Sequence, residues 1–96
     1  MRDFIDLEGA SGTSYRFRRW PPGAPHPPAA GHFAWVRETG GRLQVICLGE
    51  AENLARVPDE APGEVRAPNV HLFTRLNISR EARTADHEDL AAKSDR

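Results

Sequence analysis

The chain has 96 residues, 39% of them hydrophobic and 28% charged, with a net charge of −1. That length allows one domain with one modest core, since a chain of this size buries about 60–65% of its unfolded surface. The near-neutral balance excludes a global field that would draw the protein onto nucleic acid or an acidic membrane. A single cysteine, Cys47, excludes an internal disulfide and a paired-cysteine metal knuckle.

In chain order, "DFIDLEG" (3–9) reads as a short strand and "ASGTS" (10–14) as a turn. "YRFRRW" (15–20) alternates, with Tyr15, Phe17 and Arg19 on one side and Arg16, Arg18 and Trp20 on the other. Together these form an expected N-terminal hairpin. "PPGAPHPPAA" (21–30) carries five prolines, which cannot donate to a ladder, so it is an extended strap. "GHFAWVRE" (31–38) alternates again, "TGG" (39–41) signals a tight turn, and "RLQVICLG" (42–49) ends in an apolar run that suits a covered strand.

Gly49 reads as a strand break, and "EAENLARV" (50–57) as a short helix with acids in its first turn. "PDEAPGEVRAPN" (58–69) is loop and "VHLFTRLNI" (70–78) the last strand. Ser79 is a good N-cap for a closing helix, "REARTADHEDLAAK". On that helix Ala85, Glu88 and Ala92 share a side, which puts Glu88 beside a small-residue stripe facing the body of the protein. The expected fold is therefore α+β. A small antiparallel sheet (hairpin 31–49 plus strand 70–77) is flanked by helices at about 50–57 and 80–93, with an added N-terminal β-hairpin. The single domain, 1–96, divides into hairpin and strap (1–30) and core (31–93).

The stretches "GHF" (31–33), "CLG" (47–49), "ENLAR" (52–56) and "HEDL" (87–90) resemble, in order and spacing, the GIY-YIG nuclease domain. The resemblance implies metal-assisted phosphodiester hydrolysis, with one tyrosine hydroxyl helping to activate the attacking water, an arginine on the phosphate and a glutamate on the metal. Arg56 and Glu88 stand at the last two of those positions. Phe33 and Cys47 stand where the family has its tyrosines. Phe33 has no oxygen, and the Cys47 thiol is a weak hydrogen-bond partner. Loss of a general base alone costs about 10²–10⁴-fold. His32 is no substitute base, because on a strand it points away from the Phe33 side.

The expectation is a degenerate, non-catalytic GIY-YIG-like binding module, with Phe33, Cys47, Arg56 and Glu88 as vestigial positions. It contacts a nucleic acid or a protein through Arg16, Arg18, Arg19, Trp20 and Arg56, and needs no cofactor. One alternative is a divergent metal-dependent nuclease using Arg56 and Glu88, with Glu88 on Mg²⁺. The other is a small interaction protein that shares only the fold. Twelve of the 13 basic residues are Arg, Lys93 being the exception, which fits a GC-rich bacterial coding sequence. "MRDFIDLEGA" has no apolar signal core, and no apolar run is long enough to span a bilayer, so the expected place is the cytoplasm, off any membrane. His26, His71 and His87 read as scattered surface histidines.

Overall fold

Side chains that alternate along the first two strands set the inside of the molecule. The computed structural model describes residues 2–94. Strand β1 (Phe4–Glu8) pairs antiparallel with β2 (Ser14–Trp20), placing Ile5 opposite Phe17 and Leu7 opposite Tyr15 on one face. Strands β3 (Gly31–Thr39) and β4 (Arg42–Ala51) form a long hairpin across Gly40 and Gly41. Both glycines have positive φ, 57° and 81°, as a two-residue turn matched to the strand twist requires. Strand β5 (Val70–Leu76) lies between β2 and β3, so the sheet order is β1-β2-β5-β3-β4, all neighbours antiparallel. The sheet curls into a half-barrel, and helix α1 (Arg80–Ser94) packs against β4, β1 and β3.

The two faces carry two separate apolar clusters. On the helix face Ile5, Tyr15, Phe17, Ala34, Val36, Phe73 and Leu90 form the main core. On the opposite face Leu54, Val57 and Leu72 are buried with Trp20, Phe33, Trp35 and Ala51 around them. That face is covered by loops: the proline-rich strap 21–30 and three single-turn 3₁₀ segments, Leu54–Arg56, Pro58–Glu60 and Gly63–Val65.

The architecture corrects the sequence expectation in two respects. The helix expected over 50–57 is absent. Strand β4 runs on to Ala51, with Glu50 opposite His32 and Ala51 opposite Gly31, and only one 3₁₀ turn follows. Pairing with β3 outweighs the weak helix preference of a segment too short to nucleate alone and closed by Pro58. The N-terminal hairpin is not an addition either, because β2 pairs with β5 and its side chains build the main core. The protein is thus mostly one curled sheet with one helix, instead of a small sheet between helices.

Gly49 does not break β4. It pairs with Phe33 in the middle of the hairpin, and a Cβ there would overlap the Phe33 ring. Helix α1 also turns a different side inward than expected. Ala85, Glu88 and Ala92 are exposed, while Arg83 and Leu90 are buried. The inward side is largely polar, so an apolar stripe could not mark it.

A candidate binding cleft across the loop face

Register brings side chains from separate strands into rows. Trp20 on β2 pairs with Leu72 on β5, Leu72 with Trp35 on β3, and Trp35 with Cys47 on β4. Paired residues project to the same face. The result is a cross-strand row Trp20–Leu72–Trp35–Cys47 under the loops. The next row along the strands is Phe4–Arg18–Thr74–Phe33–Gly49.

Two cavities open onto the Trp row and share Trp35. One, of about 450 Å³, lies between the two tryptophans, with Pro21, Pro22, Pro58 and Leu72 in its wall. The other, of about 530 Å³, runs past Phe33 and Cys47 towards Arg56 and Glu60. The first cavity carries one acid and one base, Asp59 and Arg66, whereas the second is lined by Glu50, Glu52 and Glu60 against Arg56, a net −2. Arg56 is itself paired with Glu60 at 3.7 Å, both side chains well exposed. The Arg66 Nε–H donates to the Ala61 carbonyl at 3.0 Å.

The strap is pinned over the neighbouring part of this face. The Trp20 indole N–H donates to the Ala24 carbonyl at 2.9 Å, and the Trp20 and His26 rings lie 3.9 Å apart. His26 sits within 3.0 Å of the Thr74 hydroxyl through Nε2 and 2.8 Å from the Pro27 carbonyl through Nδ1. At the strap's end, the Ala29 carbonyl accepts from Leu54 N–H and the Ala30 carbonyl from Asn77 N–H. Trp35 differs from Trp20. Its indole N–H has no acceptor among the described residues and is not sealed from solvent.

The residues expected to carry function fall on both sides of the sheet. Phe33, Cys47 and Arg56 line one cavity on the loop face. Glu88 is exposed on α1, the helix that packs on the other face. The sheet therefore stands between Arg56 and Glu88. Arg16, Arg18 and Trp20 share a groove of about 370 Å³ with Phe4 and Leu76 on the loop face. Arg19 points to the helix face, where its Nε is buried without a hydrogen-bond partner among the described residues. Arg16 is held by Asp6 at 3.1 Å and lies over the Phe4 ring. The five expected contact residues thus do not form one basic surface. Among the described residues no group of three or more His, Cys, Asp or Glu is arranged so that it could hold a metal ion.

A polar cluster under α1 escaped the sequence reading. His32 is fully buried, and its Nε2 is 3.2 Å from Asn77 Nδ2. Asp86 accepts from Asn77 at 3.0 Å and from Arg75 at 3.1 Å. Burial first, then the Arg75 charge, pushes the His32 imidazole down to about 4. The His87 ring stacks at 6.5 Å from His32, and the Nδ1 atoms of both are buried without hydrogen-bond partners among the described residues. Beside them the Tyr15 hydroxyl donates to Asp89 at 2.8 Å, and the Ser11 hydroxyl donates to the same carboxylate at 2.6 Å. His26, His71 and His87 are all half-buried, none a plain surface residue. Each cluster member looks ordinary on its own strand or helix. Only the register of His32 opposite Arg75 and Glu50 unites them.

No helix among the described residues is long and apolar enough to cross a membrane. Compared with protein-family models, with curated proteins and with solved structures, the chain matches none.

Proposed function

We infer that the protein is a non-catalytic binding module that holds a segment of a protein partner in the Trp-lined cleft of its loop face. The observation that carries this reading is the row Trp20–Leu72–Trp35, which places two large aromatic side chains beside a cavity walled by prolines. Half-buried aromatic side chains in a concave apolar site are the usual anchors of protein recognition. The same geometry weighs against a nucleic acid. The first cavity is charge-balanced and the second net acidic, and phosphate binding needs several converging cations. It also weighs against phosphodiester hydrolysis through Arg56 and Glu88, which the sheet separates.

The test is a selection of random linear peptides on the purified protein, counter-selected on Trp35→Ala. In parallel, single- and double-stranded DNA and RNA are titrated at low salt with and without Mg²⁺, and cleavage is scored in the same tubes. The expected result is peptides that need Trp35, with no nucleic acid bound or cut. Salt-sensitive nucleic-acid binding without peptide enrichment overturns the reading. So does Mg²⁺-dependent cleavage that Glu88→Ala abolishes.

A further inference from the structure

We propose that the occupant of this cleft is an extended, proline-rich segment of a partner protein followed by basic residues. The inference rests on the cleft being a protein-binding site and names the chemistry of what enters it. Three observations carry it.

The first is the contact that the chain makes with itself. Trp20 donates its indole N–H to the Ala24 carbonyl, inside the run Pro21-Pro22-Gly23-Ala24-Pro25-His26. This is one tryptophan of the face already holding a carbonyl of a proline-rich stretch, here a tight turn in which Ala24 N–H donates to the Pro21 carbonyl at 3.2 Å and Gly23 has a φ of 78°. Extended proline helices expose their carbonyls to the side, unpaired, and lose little entropy on docking against aromatic rings.

The second is Trp35, which stands beyond Leu72 in the same row with the same donor unused. Its indole forms part of both cavities, and the wall on one side is Pro21, Pro22 and Pro58, on the other Pro62. An indole of this kind offers a flat surface and one donor, matching a proline ring and a neighbouring carbonyl.

The third is charge. The second cavity ends among Glu50, Glu52 and Glu60, with Arg56 already paired to Glu60. Glu50 lies 4.0 Å from Arg83, and Glu52 has no ion pair among the described residues. An arginine or lysine following the prolines meets an uncompensated carboxylate there. A phosphate or an acidic peptide meets repulsion.

The experiment uses the whole chain and the end-capped peptide Ala-Pro-Pro-Ala-Pro-Pro-Arg-Arg, followed by calorimetry. Its two controls replace all prolines by glycine or both arginines by glutamate. Expected are binding of the parent peptide, about tenfold weakening by each control, and about three- to tenfold weakening in Trp35→Phe, which keeps a ring but loses the N–H. Glu52→Gln is expected to reduce the penalty of the glutamate control. A thermal melt of each variant confirms that it is folded. Equal binding of parent and controls overturns the proposal. If selected peptides without proline occupy the Trp35 cleft while the parent peptide does not bind, the proposal falls and the binding module stands. If no peptide of any kind binds, both fall.

Discussion

Phe33 and Gly49 stand opposite one another on β3 and β4, and the phenyl ring fills the space a Cβ on Gly49 would need. The same ring lines the second cavity. Gly49→Ala is expected to destabilise the fold by about 1–3 kcal/mol, the range for overfilling a packed site. Urea denaturation measures it. Phe33→Leu combined with Gly49→Ala should cost less than the sum of the two single changes, because the smaller side chain leaves room for the methyl. Additive losses would contradict the contact.

His32 makes stability depend on pH with a definite sign. Its imidazole is neutral in the folded chain down to about 4, against an ordinary 6.5. Between those values the unfolded chain takes up a proton that the folded chain refuses. The contribution is therefore complete above about 6.5, shrinks as pH falls through the window, and is exhausted near 4, a loss of about 3 kcal/mol. Arg75, Asp86, His87 and Glu50 all face this ring, and the two carboxylates act against the shift. His32→Gln retains an acceptor for Asn77 but does not titrate. Urea unfolding from pH 7 to pH 4 should show a shallower loss in the variant, and parallel curves would contradict the assignment.

Tyr15, the only tyrosine, reports on the junction between α1 and the first turn. Burial first, then its bond to Asp89, pushes the phenol up to about 12 from 10.0. A raised value means stability present below pH 10 and lost as the pH climbs towards 12. An ultraviolet titration sees this one phenolate. Asp89→Asn should move the ionisation down towards 10 without abolishing the shift, since burial remains. Asp89 also accepts from Ser11 through its hydroxyl and its N–H, so the variant should loosen the 9–13 turn as well.

Adding hydroxyls at Phe33 and Cys47 should not create a nuclease. Phe33→Tyr with Cys47→Tyr places phenols on the loop face beside Arg56, yet Glu88 stays on α1 across the sheet. Plasmid nicking with Mg²⁺ or Mn²⁺ is expected to remain at the level of a protein-free control. Nicking by the double variant that depends on Glu88 would show that the four positions cooperate.

The sequence made much of this legible. Alternation in "YRFRRW" and "GHFAWVRE" marks segments that are strands, and the glycines of "TGG" mark the turn. Ser79 reads as the start of the closing helix, and its hydroxyl accepts from Ala82 N–H at 3.4 Å. "EAENLAR" misled because its acids and alanine favour a helix locally, while pairing of Glu50 and Ala51 with β3 decides the conformation. The inward side of α1 was illegible because Arg83, Asp86 and Asp89 meet polar partners, so hydrophobic periodicity carries no signal there. The Trp row was hidden for a different reason. Trp20 and Trp35 meet only through Leu72, on a strand far along the chain, and no local pattern encodes that register.

The binding account is tested most directly by the two indole N–H signals of the tryptophans in nitrogen-resolved NMR, titrated with the proline-arginine peptide. The Trp35 signal is expected to move downfield and saturate as its donor gains a carbonyl, while the Trp20 signal, already bonded to Ala24, stays in place. A Trp35 signal that does not move at saturating peptide, or one that moves instead with DNA or RNA, would contradict the account.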